Sequence, residues 1–398
     1  MDSVTPTVVK RPLLSVQCDW NEVLREKNGT AWVSCKEYGE TGKHGKLTSI
    51  DSSENILHSI EASEGFKVES ISSISLCLSH KDPNCKCEFF APNKIFSNIH
   101  QKSILSLDVT QELGVSICSE NRLLIWNANT GSVLRNLEGH VWDVYYCSFF
   151  PSGVVVLSAG ADMQIKIWSA ITGECPVTLT GHKAAITDAA IVERGRNIVT
   201  VSKDGTARLW DCGKSSCLHV LSEENGNINC CDVAPVDIDV GTPDASPSDR
   251  EVGTEGKLLL LGCETGYLKG VGLRSHKQIF QYQCDSAINC CCFISSNSVA
   301  FGTQDGKVWL FDLRARLPVT VWEESTSPVL CLISVKNGVF CGRADGTCIY
   351  ISFISDRCIQ LTGPGFDPVY CMAFNGHSIY TGSRDGAVRK YDLSFSSL

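Results

Sequence analysis

Residues Gly181–Cys212 read GHKAAITDAAIVERGRNIVTVSKDGTARLWDC, and the rest of the chain is organised around this stretch. It opens on Gly181-His182 and closes on Trp210-Asp211, with Asp204-Gly205 six residues before the tryptophan. Ile191–Glu193 ends one strand, and Arg194-Gly195-Arg196-Asn197 makes a turn. Ile198–Ser202 is a second strand, Lys203-Asp204-Gly205-Thr206 a tight turn and Ala207–Trp210 a third strand. An Asp-Gly pair between alternating segments is a strong hairpin signal, because glycine takes positive φ without steric cost.

A Gly-His to Trp-Asp unit of about 40–45 residues resembles one blade of the WD40 family. In such blades the resemblance implies a polar relay. The tryptophan N–H meets a hydroxyl on the middle strand, the hydroxyl meets the histidine, and the histidine meets the turn aspartate. Here these are Trp210, Ser202 (or Thr200, two residues earlier on the same face), His182 and Asp204. Leaving one partner unpaired costs roughly 1–3 kcal/mol. With the blade signature around them, His182 and Asp204 read as a staple of the fold and not as an acid–base pair.

Working outward, the turn acid recurs at Glu120, Asp162, Asp204, Glu264, Asp305, Asp345 and Asp385, at separations of 42, 42, 60, 41, 40 and 40 residues. The long interval contains residues 236–255, VDIDVGTPDASPSDREVGTE, whose two prolines, six acids and one arginine read as a disordered surface insertion. Without it seven units remain, and the expected fold is all-β, a seven-bladed propeller over residues 86–398. The second unit carries His140, Ser158, Asp162 and Trp168, and the first keeps His100 and Trp126 but has Glu120 in its turn. The later units replace tryptophan with Phe311, Ile351 and Tyr391 and lack the histidine, so apolar packing between blades is expected to hold them. Too few residues follow Tyr391 for an outer strand, and Phe89–Ile99 is the natural donor of the missing edge.

Residues 1–85 lack the repeat and read as a small α+β domain. Asp19-Trp20-Asn21-Glu22 looks like a capping box opening a short helix to about Lys27; Ala31–Cys35 is a strand, and Phe66–Leu78 gives one or two more. Gly39, Gly45 and Lys46 fall short of a phosphate loop. Five residues separate the glycines instead of four, and Leu47 stands where a Ser/Thr would hold magnesium.

The formal charge of −9 on 398 residues argues against nucleic-acid or anionic-membrane surfaces. No apolar run reaches the roughly 18 residues that span a bilayer, and the first twenty residues lack a signal-peptide core. The expected protein is a soluble, cytoplasmic monomer, with the nucleus also compatible, and its 22 cysteines are expected as reduced, mostly core thiols. There is no CxxC pair, nucleophile elbow or nucleotide loop, so neither enzyme activity nor a metal or other cofactor is expected.

A closer resemblance covers both regions. Glu138–Val144, Phe149–Gly153 with Val155–Ser158, Arg194–Val199 and Asp204–Gly213 are similar to the proteasomal ATPase-associated factor family. So are Asp19-Trp20, Ala31-Trp32, Ser34-Cys35, Glu64–Phe66 and Arg250–Glu255. The resemblance implies a chaperone of the proteasome regulatory particle that binds the C-terminal domain of an ATPase subunit of the 19S base and regulates 26S assembly. WD40 partners usually dock at the mouth of the ring, just after the histidine position; the residues there include Trp142, Asp143, Asp285 and Asp367. Trp142 is the expected anchor, and the acids would steer a basic partner. The alternative is an adaptor of a cullin-RING ubiquitin ligase, because Phe311-Asp312-Leu313-Arg314 resembles the Trp-Asp-x-Arg signature of such adaptors.

Overall fold

The computed structural model describes residues 5–37, 39–50, 60–244, 246 and 248–393. From residue 94 onward these form a ring of antiparallel four-stranded blades, each strand pairing with the next in sequence. The first blade is Ile104–Val109, Leu113–Cys118, Leu123–Asn127 and Val133–Asn136. The second is Val144–Phe149, Val155–Gly160, Gln164–Ser169 and Val177–Thr180, and the third Ile186–Val192, Asn197–Ser202, Thr206–Asp211 and Ser216–Glu223. The fourth is Ile228–Pro235, Lys257–Cys263, Tyr267–Gly272 and Gln278–Gln283, and the fifth Ile288–Ser295, Ser298–Thr303, Val308–Asp312 and Leu317–Trp322. The sixth is Val329–Val335, Gly338–Arg343, Cys348–Ser352 and Cys358–Leu361. The seventh takes Val369–Phe374, Ser378–Ser383 and Val388–Asp392 from the end of the chain, and its outer strand, Lys94–Phe96, from before the first blade. That edge falls inside the donor segment the sequence suggested.

Burial explains the strand compositions. Each second strand is covered by blades on both faces, so Asn197–Ser202 and Lys257–Cys263 are buried at every position. Outer strands face solvent, and Val133–Asn136 is exposed throughout. The core lies between blades. Val199 and Val201 of the third blade pack with Leu259 and Leu261 of the fourth. Leu107 and Trp126 of the first pack with Cys371 and Tyr380 of the seventh, which closes the ring. Gly205, at φ 77°, turns where a Cβ would come within 2.3 Å of the Glu224 carbonyl oxygen.

Half-buried aspartates on the inner strands add polar ties between blades that the sequence reading did not identify. Asp108 accepts from Phe149 N at 2.7 Å, Asp188 from Cys231 N at 2.9 Å and Asp232 from Phe293 N at 3.0 Å. Each also accepts from the N–H of the residue that follows it. The signal was present as an aspartate at one inner-strand position in Leu107–Val109, Thr187–Ala189 and Cys231–Val233.

The N-terminal region departs from the α+β expectation. Its one described helix, Trp20–Val23, is a single turn, and the Asp19 side chain makes no cap bond; it accepts from Gln17 at 2.8 Å instead. The remainder is β: a sheet of Leu13–Val16, Thr30–Lys36, Lys43–Ser49 and Ile60–Ala62, then Phe66–Ile71, Ser75–Lys81 and Asn84–Phe90. This region is stitched to the ring. Thr7–Val9 pairs in parallel with the outer strand of the fifth blade. Asn84–Phe90, which runs across the expected boundary at residue 85, does the same on the sixth. The indole of buried Trp20 donates to Thr362 at 3.2 Å.

The insertion is also more ordered than its composition suggested. Glu251 and Thr254 are buried, Arg250 donates to Asp211 at 2.9 Å, and the Val252 N–H donates to Asn197 at 2.6 Å. Glu251 meets His219 and His276 of the third and fourth blades, whereas Asp237, Asp239, Asp249 and Glu255 stay exposed.

Candidate functional site at the mouth of the ring

The loops from each outer strand to the next inner strand, and the turns between second and third strands, open on the same end of every blade. The polar relays anchor these turns. In the third blade Trp210 Nε1 donates to Thr200 Oγ1 at 2.8 Å, and that hydroxyl lies 2.7 Å from His182 Nε2. His182 Nδ1 is 2.9 Å from Asp204 Oδ2, which also accepts the Lys183 N–H at 2.8 Å. Ser202 is not in this relay. Its hydroxyl donates to the Ala184 carbonyl and accepts from Asp204 N. The pairing register puts Trp210 opposite Ile198, two residues from Thr200 and four from Ser202, which is too far along the strand.

In the second blade Trp168 donates to Ser158 at 2.8 Å, and His140 lies 2.7 Å from both Ser158 and Asp162. Burial opposes charge on Asp204, but the Lys183 N–H, the Thr206 hydroxyl and His182 outweigh it and hold the carboxyl well below the usual range. Burial lowers His182 despite its aspartate. The relay is therefore a neutral imidazole passing hydrogen bonds from indole to carboxylate. The first blade is truncated. Trp126 and His100 share Ser116 at 3.0 and 2.7 Å, but buried His100 Nδ1 has no partner. Burial, with the Arg122 charge behind it, pushes His100 down to about 4.

The histidine-free blades are not held by apolar packing alone, as had been expected. Buried Arg389 of the seventh blade donates to Ser383 at 2.8 Å and forms a two-point pair with Asp385. Tyr391 donates to the Thr362 carbonyl at 2.6 Å. In the sixth blade the fully buried Arg343 reaches the Gly306 carbonyl at 2.7 Å. Nothing in a Gly-His/Trp-Asp search pattern points to these arginines.

Of the expected contact residues, Trp142 is 66% exposed, and Asp143 and Asp285 are exposed. Asp367 is tied to Arg384 at 2.8 Å, so it is not an open charge. The residue the sequence reading passed over is its neighbour Phe366, which is 79% exposed. It stacks parallel to Trp32 of the N-terminal sheet, with ring centroids 6.5 Å apart. Beside this pair a cavity of about 580 Å³ lies between the sheet and the ring, lined by Leu13, Lys36, Glu37, Thr326, Asp345 and Phe366. Charge around the mouth is uneven. Asp143 and Asp285 are exposed there, whereas Asp305 and Glu323 pair with Lys307 at 3.1 and 3.4 Å, and Lys102, Lys183 and Lys203 sit on the first and third blades. Arg314, the residue that suggested a ligase adaptor, turns back to its own Asp312 at 3.6 Å. Among the described residues no helix is long and apolar enough to cross a membrane.

Comparison with known proteins agrees with this architecture. The WD domain, G-beta repeat family (WD40) matches residues 131–169, 173–211 and 356–392. Proteasomal ATPase-associated factor 1 of Homo sapiens is 47% identical over 386 residues, covering 96% of this chain and 98% of that protein. The Gallus gallus protein of the same name is 46% identical over 385 residues, with the same coverage. The probable proteasomal ATPase-associated factor 1 of Dictyostelium discoideum is 34% identical, covering 96% of both chains. A shared repeat would align only the ring, whereas these matches take in the stitched N-terminal sheets as well, and the chain belongs to the proteasomal ATPase-associated factor 1 family.

Proposed function

We propose that this protein is a non-enzymatic binding platform of the proteasome regulatory particle. It takes the C-terminal domain of an ATPase subunit of the 19S base at the mouth of its ring and regulates assembly of the 26S proteasome. The observation that carries the reading is the end-to-end likeness to relatives named for their association with proteasomal ATPases. The mouth supports it chemically. Trp142 and Phe366 are large exposed aromatics of the kind that anchor interfaces. The exposed Asp143 and Asp285 suit a basic partner surface and would act mainly on the association rate.

The test is surface kinetics of the full chain against each isolated ATPase C-terminal domain at two salt concentrations. Association is expected to slow as salt rises, with charges screened beyond about 8–10 Å. Reversal of Asp143 and Asp285 to Lys is expected to slow it further, while Trp142→Ala raises the dissociation rate. If no ATPase domain binds the folded wild type, the reading fails, and purification with cullin-RING components becomes the next experiment.

A further inference from the structure

Far from the mouth relays, three segments converge on one carboxylate. His219 lies on the outer strand Ser216–Glu223 of the third blade, and His276 in the turn between Tyr267–Gly272 and Gln278–Gln283 of the fourth. Glu251 comes from the acidic insertion between Ile228–Pro235 and Lys257–Cys263. His219 Nε2 is 2.8 Å from Glu251 Oε1, and His276 Nε2 is 3.1 Å from Glu251 Oε2. One ligating atom from each residue lies within 4.8 Å of the others, the only such group among the described residues. The rings pack with centroids 4.1 Å apart. The glutamate side chain is fully buried, while the histidines keep 38% and 27% exposure, so the cluster has a closed back and an open front.

The backbone holds this arrangement in place. Glu251 N donates to the Ser248 carbonyl at 2.9 Å, and Arg274 donates to the Glu251 carbonyl at 2.7 Å. Arg250 on one side and Val252 on the other are tied to the third blade. His276 takes a left-handed φ of 57°, fixed by its N–H to the Gly272 carbonyl at 2.8 Å. Such a conformation is uncommon for a residue with a side chain, and here it turns the imidazole toward Glu251.

We propose that His219, Glu251 and His276 form a site for a divalent transition ion of the zinc class, which pins the insertion across the third and fourth blades. Two imidazoles and one carboxylate are a ligand set such ions take, with bond lengths of about 2.0–2.2 Å. Ligand atoms on one ion at those lengths sit about 3–3.5 Å apart, so small side-chain shifts suffice. Water completes the coordination at the open front. Arg274 is the opposing charge nearby, and its Nη1 is turned to the Glu251 carbonyl and the Thr254 hydroxyl.

Thiolates are themselves zinc ligands and the chain carries 22 free cysteines, so the probe is Co²⁺ added to the full-length reduced chain. Thiolate ligation gives a sulfur-to-cobalt charge-transfer band that nitrogen and oxygen ligands do not. The expected result is a single tight equivalent without that band, displaced by Zn²⁺, raising the melting temperature and protecting residues 236–255 from protease. Glu251→Gln keeps the side-chain shape and an acceptor for the histidines. Loss of an outer-sphere partner costs 10–100-fold in affinity, so loss of this direct ligand is expected to cost at least about 100-fold. His219→Gln, on a partly exposed strand position, repeats the test should Glu251→Gln unfold. A binding curve unchanged in the folded variants, cobalt bound only through sulfur, or no binding by the wild type would overturn the proposal and leave the cluster as a hydrogen-bonded latch.

Discussion

The third and seventh blades anchor equivalent turns with different chemistry. In the third, a neutral relay of Trp210, Thr200 and His182 ends on Asp204. In the seventh, a tyrosine stands at the tryptophan position, and a buried arginine on the third strand grips Asp385 and Ser383 directly. The acid of the turn is retained while its partner changes from a neutral imidazole to a permanent cation. In these two blades a buried donor satisfies the turn carboxylate, and the histidine is one supplier among several. The first blade lies between the two, with its histidine kept but the nitrogen that should meet the acid unpaired.

Trp210→Ala should separate the blades most sharply. It removes a fully buried indole and one of the two partners of the Thr200 hydroxyl, at a cost of roughly 3–5 kcal/mol. Equilibrium unfolding in urea measures it, and a loss below about 1 kcal/mol would mean that the relay does not determine blade stability. The first blade is distinguished next, by pH. His100 is held at about 4, against 6.5 in the unfolded chain. Because its folded value is depressed, the unfolded state takes up the proton first, and stability present above pH 6.5 is lost as pH falls toward 4. The loss is on the order of 3 kcal/mol, and His100→Gln should flatten that part of the pH profile; an unchanged slope would assign it to other groups. The smallest effect is expected in the seventh blade. Arg389→Met should cost roughly 2–3 kcal/mol, less than for a fully enclosed pair because Asp385 retains some solvent access. A double-mutant cycle with Asp385→Asn should give a coupling above about 1 kcal/mol, and the exposed Arg384–Asp367 pair less than that. Equal couplings would erase the distinction between a buried tie and a surface one.

The ring and its complete blades were legible because the Asp-Gly turns and tryptophans recur at a near-constant interval, which the propeller geometry enforces. The hydroxyl of the third blade was misassigned because residues two apart share a face of a strand. The constant ten-residue step from Ser116 to Trp126 and from Ser158 to Trp168 selects Thr200 for Trp210. Arg343 and Arg389 were hidden because a buried arginine reads as surface until its partners are known. The insertion misled for a related reason. Its acids and prolines match the composition of disorder, but Asp211, Asn197, His219 and His276 lie far away in sequence and come to meet it only in the fold. At the mouth, Trp142 was legible as an aromatic after the histidine, whereas Phe366 gained meaning only from the distant Trp32.

The strand that completes the seventh blade is made before any blade exists, and this sets a timetable for synthesis. Asn93 waits for Asp392, 299 residues later, and Trp20 for Thr362, 342 residues later. Thr7–Val9 and Asn84–Phe90 likewise find their neighbours only on the fifth and sixth blades. A nascent chain therefore leaves the ribosome with open β edges at its front and carries them until its last blades emerge. Pairings this distant fold slowly and leave edges exposed to other chains in the interval. A ribosome stall before the final blade would release an open ring whose N-terminal edges are already docked on the fifth and sixth blades, with Lys94–Phe96 left unpaired at the seam.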